Sequence, residues 1–345
     1  MGTPLTIAEL ARRLGLSTCT VSRAMNNTPN SRISAATRNR VLAEIEASGY
    51  RPNLSAQALI SGKTHVVAVM IIDSNNPFSG GFIHAMEEAT QKCGYHVLLC
   101  NTRGEIERER NEASMLRQRG VEGLVIEHLG PADLLLELAK DNYPFVLLAP
   151  YPGAPELDYV TFDDIEGGRL ATQALLQAGR KRLAHLAGPA HLPCARNRRA
   201  GYELALREAG LAVNPDWIIA SQDYDHDTAG LDAIQRLLDL PDRPDGVFCF
   251  DDFIAANLYE AATSRGLKVP EDLALIGYND QSFSRRLAVP LASINLDTKR
   301  LGTEAAAILL RKIEHPEARP GPQAVTITPS LVWRASLGQN PTPNS

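Results

Sequence analysis

Apolar side chains at helical spacing open the chain. Ile7, Leu10 and Leu14 share one face, and Thr6 with Glu9 forms the T-x-x-E box that starts such a helix. Gly15 and Leu16 make a turn. Ser17 is placed to cap a second short helix, which turns Val21 inward and leaves Thr18, Cys19, Ser22 and Arg23 outward. A third helix is expected from Ser34 to about Ser48, with Val41, Leu42 and Ile45 apolar and Gly49 as its stop. Next comes a helix-capable stretch, Pro52 to Gly62, carrying Leu54, Leu59 and Ile60. Isolated helices below about 12 residues do not persist in water, so this stretch is expected to order only when something holds it. The alternative is a linker with incidental helical propensity.

From Thr64 the period changes to apolar runs alternating with amphipathic segments. Strand-like runs are Val66 to Ile72, Tyr95 to Cys100, Gly123 to Ile126, Phe145 to Leu148, Arg182 to Leu186, Gly246 to Phe250 and Leu273 to Gly277. Helix-length segments separate most of them, which argues for parallel sheets covered on both faces. A body of about 280 residues is large for one open sheet and natural for two subdomains. Internal similarity agrees: Val66 to Leu99 and Arg182 to Val213 both read strand, polar loop, helix, then a glycine-led apolar run.

Charge divides the chain at the same place. Residues 1–63 carry net +5 and the remainder net −10, so the overall −5 hides a cationic head on an anionic body. That is the footprint of a module that neutralises phosphates, and two short helices joined by a tight turn are built to enter a major groove. A generic helical hairpin is the competing reading of the motif alone.

Four motifs in order, Thr20-Val-Ser-Arg-Ala-Met-Asn-Asn27, Gly49-Tyr-Arg-Pro-Asn53, Ile72-Asp-Ser-Asn-Asn-Pro-Phe78 and Gly277-Tyr-Asn-Asp280, resemble the LacI/GalR family of bacterial transcription regulators, from Leu5 to about Arg334. The resemblance implies an α/β protein: a three-helix helix-turn-helix head (1–50), a hinge helix linker (51–63) and a periplasmic-binding-protein-like body (64–335), followed by a polar tail (336–345). The body is expected to form two subdomains with parallel sheets, roughly 64–163 with 293–318 and 164–292 with 319–335. Candidate DNA contacts are Thr6, Ser17, Thr18, Cys19, Thr20, Ser22, Arg23, Asn26 and Asn53, and the resemblance places Leu59 as a minor-groove wedge.

In parallel α/β sheets ligands bind beyond the carboxyl ends of strands. The residues there are Asn75, Phe78, Ser79, Arg198, Tyr224, Asp251 and Asn279, and matching to the family adds Phe162. An aromatic face, one guanidinium and short amide or carboxylate acceptors suit a small polyhydroxylated ligand, a sugar or sugar acid. Duller readings stand beside these: Phe78 and Phe162 as core, Asp252 as a helix N-cap with Asp251 sharing that role, and Arg196, Arg198 or Arg199 as solvated. Arg198 is favoured because it stands three residues before Gly201-Tyr202, the family's spacing. Asn279 departs from the family, where many members carry Asp, and so removes a charge.

Other chemistry is weak. Five cysteines show no C-x-x-C or zinc spacing; Cys93, Cys100 and Cys249 read as small buried hydrophobes, and His84 or His185 as surface or satisfied core residues. There is no G-x-G-x-x-G, Walker A or G-x-S-x-G element, and adjacent Asp251 and Asp252 are poor geometry for an acid and base pair, so no catalytic, metal or cofactor site is expected. No signal peptide or 18-residue apolar run occurs, so a cytoplasmic protein without a membrane partner is expected. The tail lacks leucine heptads, so the expectation is a homodimer on a palindromic double-stranded operator. The expected function is a repressor of carbohydrate utilisation genes, set allosterically by a sugar or sugar-acid effector. The alternatives are a corepressor-type regulator responding to a purine or other metabolite, and a sugar-binding protein without a regulatory role.

Overall fold

The computed structural model describes residues 5–25, 33–51, 58, 61–154, 156–221, 230–318 and 321–340. It divides into two compact units, residues 1–64 and 65–345.

The head holds α1 (Ile7–Leu14), α2 (Thr18–Met25) and α3 (Ala35–Ser48). The Thr6/Glu9 capping box forms in both directions, and Gly15 ends α1 in the left-handed region at φ +66°. Ser17 Oγ accepts the Thr20 N–H at 3.1 Å and Ser34 Oγ the Thr37 N–H at 3.2 Å, so the start of each later helix has its orphan donor satisfied. Leu10, Leu14, Val21, Val41 and Tyr50 close a small core, and Arg40 Nη2 donates to Leu14 O to tie α3 to the end of α1. Leu42 stays 44% exposed, because Val41 takes the core-facing position next to it. Of the linker, Ala58 and Ser61 are helical, and the Gly62 N–H donates to Ala58 O at 2.8 Å.

The body builds two six-stranded sheets. In chain order the elements of its first part are β1 (Val66–Ile71), α4 (Pro77–Gln91), β2 (His96–Asn101), α5 (Ile106–Gln118), β3 (Leu124–Ile126), α6 (Asp133–Lys140), β4 (Phe145–Leu147) and β5 (Tyr159–Phe162). There follow α7 (Asp164–Gln177), β6 (Leu183–Ala187), α8 (Pro193–Glu208), β7 (Ile218–Ala220), α9 (Leu231–Leu238), β8 (Gly246–Cys249), α10 (Asp252–Ser264), β9 (Ala274–Tyr278), β10 (Ala292–Asn295), α11 (Thr298–Glu314), β11 (Ala324–Ile327) and β12 (Ser330–Val332). The sheets run β11-β5-β4-β3-β1-β2 and β12-β10-β9-β8-β6-β7. Every pairing is parallel except β10 with β12.

The chain passes between sheets at 162–164, 295–298 and 327–330. The last two crossings fall later than the sequence suggested: β10 stays in the second sheet, and β11 adds to the first before β12 returns. Subdomain bounds of 293 and 319 therefore move to about 296 and 328. Each half also contains one close helix pair held by glycine. A Cβ on Gly302 of α11 falls 2.3 Å from Phe82 O of α4, and one on Gly201 of α8 falls 2.0 Å from Ile165 O of α7. Two crossing helices with backbones in contact thus recur in both halves, the structural form of the internal similarity.

Candidate functional site

In the head, Thr6, Ser17, Thr18, Cys19 and Arg23 are exposed, and Thr20 and Ser22 are half-buried. Ser17 and Thr20 spend polar atoms on the cap, their hydroxyls 2.9 Å apart. Arg23 makes no ion pair among the described residues, whereas Arg12 and Arg13 lean on Glu9 and Glu44. A cationic, exposed α2 face with one free guanidinium is the arrangement that phosphates or base edges require. Asn26, Asn53 and Leu59 lie outside the described residues, as does Tyr224 of the body.

The second site lies where the carboxyl ends of the two sheets meet. Arg198 sits in the first half of α8, only 6% exposed. Its Nε donates to Asp164 Oδ1 at 2.9 Å and its Nη1 to Phe250 O at 2.8 Å, and its guanidinium carbon stands 3.7 Å from the Tyr278 ring centroid and 4.6 Å from that of Phe250. Tyr278 Oη donates to the same Asp164 oxygen at 3.0 Å. Burial works against the charge on Arg198, yet Asp164 beside it holds its pKa above the ordinary value. Burial, reinforced by Asp164, raises the Tyr278 phenol as well, so it stays a donor. The Cys194 thiol, one turn before Arg198, is pushed up to about 11 by burial and is therefore an unreactive neutral wall.

The first sheet supplies the facing wall. Asn76 caps α4, Pro77 occupies its first turn, and Phe78 and Ser79 follow. The Phe78 ring meets Phe162 edge to face with centroids 6.0 Å apart. Phe162 is 8% exposed and Phe78 half-buried, so the pair is part core and part cleft surface. Ser79 is buried and donates to Asp73 O at 3.3 Å, while Asn75 is exposed, its N–H on Asp73 Oδ1 at 2.9 Å. Asn279 is half-buried at φ +93°, a left-handed backbone that Asn tolerates better than most residues, with its N–H on Ile294 O at 2.8 Å.

Asp251 is corrected by the fold. It has no exposed surface, and its Oδ1 accepts the Ile254 N–H at 2.9 Å as the N-cap of α10. Asp252, expected to be that cap, instead receives Gln281 N–H at 2.5 Å, Ser293 Oγ at 2.7 Å and Ser284 Oγ at 2.8 Å. It ties down the loop after Asn279, and burial lifts its pKa to about 7. Two cysteine expectations also fail: Cys93 is exposed in the turn after α4, and Cys100 is half-exposed because β2 is an edge strand. Cys249 is buried, His185 is a core residue with Nδ1 2.9 Å from Phe248 O, and His84 is exposed.

Sequence reasoning missed Asp164, Phe250, Tyr278 and Glu127. Glu127 directly follows β3, the same strand-end signal that singled out Asn75, and accepts the Ile72 N–H at 2.9 Å. Asp164 follows β5, a four-residue strand too short to announce itself by alternation.

A helix-turn-helix head followed by a two-sheet body with a polar cleft defines a class, the ligand-responsive DNA-binding regulators. Bacterial regulatory proteins of the lacI family match residues 6–53, and the periplasmic binding protein-like domain matches residues 172–337. The HTH-type transcriptional repressor PurR of Haemophilus influenzae (strain PittEE) is 34% identical over 335 residues, 96% of this chain and 98% of that protein. The lac repressor dimer bound to operator and the anti-inducer ONPF superposes with TM-score 0.86 at 26% identity, covering 97% of this chain and 99% of that one. The transcriptional regulator CelR in its cellobiose complex superposes at 0.72 with 30% identity, covering 96% and 99%. The chain belongs to the LacI/GalR family and is a DNA-binding transcriptional repressor.

Proposed function

We propose that this repressor is controlled by a small-molecule effector in the cleft between its two sheets, and that the effector is a sugar or sugar acid. The observation that carries the reading is Arg198: a buried guanidinium clamped by Asp164, Phe250 O and Tyr278, opposite the Phe78 and Phe162 rings. Such a guanidinium reads hydroxyl or carboxylate oxygens while aromatic edges cover the C–H face of a ring. CelR, similar over nearly the whole chain, was solved with cellobiose.

The three chain crossings lie between the halves, so a ligand that favours one closure shifts one half against the other. In a homodimer that motion sets the separation of the two DNA-binding heads, and the operator is held tightly only when that separation fits. The coupling is reciprocal, typically about 1–3 kcal/mol. Leu98 and Leu99, 44% and 46% exposed on the two opposite faces of edge strand β2, support a dimer built along this sheet edge. Two-fold symmetry gives a palindromic operator. Among the described residues no helix is long and apolar enough to cross a membrane. Because a repressor must reach chromosomal DNA, the reading carries a cytoplasmic location with it. A corepressor response to a purine or another metabolite is the second reading, favoured by the relatives named PurR.

The test is a mobility-shift titration of purified protein on DNA upstream of its own gene, with sugars, sugar acids and purines added singly. Release by a sugar or sugar acid is the expected result. Tightening by a purine establishes the second reading, and no specific binding at any salt sinks both.

A further inference from the structure

The outward face of α2 offers a narrow set of chemistries. Thr18, Cys19 and Arg23 are exposed and Ser22 is half-buried, while Val21 and Ala24 turn into the core of the head. The Ser17 and Thr20 hydroxyls lie 2.9 Å apart and are taken by each other, and Ser17 Oγ also accepts the Thr20 N–H at 3.1 Å. Among the described residues the side chains of Thr18, Cys19 and Arg23 make no hydrogen bond or ion pair, so all three are available to a duplex.

Base edges in the major groove are told apart by particular partners: a guanidinium or ammonium for guanine, a side-chain amide for adenine, a carboxylate for cytosine, and an apolar surface for the thymine methyl. α2 contains no Asn, Gln, Asp, Glu or Lys, and the amides of Asn26 and Asn27 come only after its last residue. Arg23 is therefore its one long hydrogen-bonding group, and it stands in the last turn. The start of the helix, the part that a recognition helix brings to the base edges, carries Thr18 and Cys19 instead. Thr18 has a methyl beside its hydroxyl, and the Cys19 thiol is a weak donor that behaves as a small hydrophobe. Neither side chain can span two groups of one base as a bidentate reader does. Both leave apolar surface in water, and covering that surface with another methyl is favourable.

We propose that the operator carries a thymine whose 5-methyl group packs against Thr18 and Cys19, and that hydrogen-bonded base readout on α2 falls to Arg23 alone. Thr18 and Cys19 then set sequence preference by contact, and the methyl is the feature they read.

The experiment first selects a bound sequence from a random duplex pool with the full-length protein. Each thymine of that sequence is then replaced in turn by uracil, which removes the 5-methyl and leaves the base pairing intact. Fluorescence anisotropy at fixed salt compares the wild-type chain with the double variant Thr18→Ser, Cys19→Ser, and a melting curve is taken for each. In the wild-type chain at least one thymine is expected to cost about fourfold in affinity on becoming uracil, the worth of one buried methyl. The double variant is expected to melt as the wild type does, since both side chains are exposed, and to bind the thymine and uracil duplexes within about twofold of each other. Uracil tolerated at every position by the wild-type chain overturns the proposal. A methyl preference that survives in the double variant overturns it too, because another residue then reads the methyl. A pool that yields no common sequence overturns the α2 docking together with the proposal.

Discussion

The guanidinium of Arg198 lies 3.7 Å from the ring centroid of Tyr278, and both side chains donate to the same oxygen of Asp164. Their strengths are unequal. Removing the hydroxyl in Tyr278→Phe keeps the stack and loses one hydrogen bond, an expected cost of about 1 kcal/mol. Arg198→Ala strands Asp164 without its counter-charge, an expected cost of about 3 kcal/mol in denaturant unfolding. The same variant is expected to hold operator DNA at wild-type affinity while no effector releases it. Equal stability losses for the two variants contradict this division.

Arg23 stands exposed on α2 with no ion pair among the described residues, so little holds it to the fold. Arg23→Ala is expected to leave the melting temperature unchanged and to weaken operator binding by about 1–3 kcal/mol. Fluorescence anisotropy on operator and scrambled duplexes reads the effect. A variant that retains full operator affinity rules out the α2 docking.

Asp252 carries a pH signature of unusual sign. Its folded pKa of about 7 lies above the ordinary 3.8 of a free aspartate, so between these values the folded chain holds a proton that the unfolded chain has lost. Stability from this group is therefore full below pH 3.8, falls as pH rises toward 7, and is flat above, a total of a few kcal/mol at about 1.4 kcal/mol per pH unit. Asp252→Asn is expected to flatten that slope in unfolding titrations from pH 5 to 8. An unchanged slope assigns the titration elsewhere.

Gly201 and Gly80 both sit inside helices yet predict opposite outcomes. A Cβ at Gly201 meets Ile165 O at 2.0 Å and Arg169 N at 2.6 Å, backbone atoms that cannot give way without parting α7 from α8. Gly201→Ala is expected to cost more than about 2 kcal/mol, in the range of overpacked cores. Gly80 has nothing within 4 Å of its added Cβ, so Gly80→Ala is expected to stabilise by about 0.5–1 kcal/mol through the unfolded chain. Thermal unfolding of the two variants side by side separates crowding from helix propensity.

The local pattern of the chain determined the elements that depend on neighbours in sequence. Thr6 with Glu9, Ser17 and Ser34 mark helix starts because a capping bond spans three residues. The long apolar runs of β1, β6 and β9 announce strands buried on both faces, and the charge break near residue 63 separates head from body. Arg198 was legible from its spacing to Gly201. Tertiary structure alone decided what Arg198 touches, since Asp164, Phe250 and Tyr278 reach it from 34 to 80 residues away. It also decided that Asp251 rather than Asp252 caps α10, because three donors from the 281–293 region claim the second carboxylate. The short strands β5, β11 and β12 are fixed by partners across the sheet, and with them the places where the chain crosses. Spacing along a chain encodes contacts within a few residues; a cleft is assembled by packing elements whose separation in sequence carries no period.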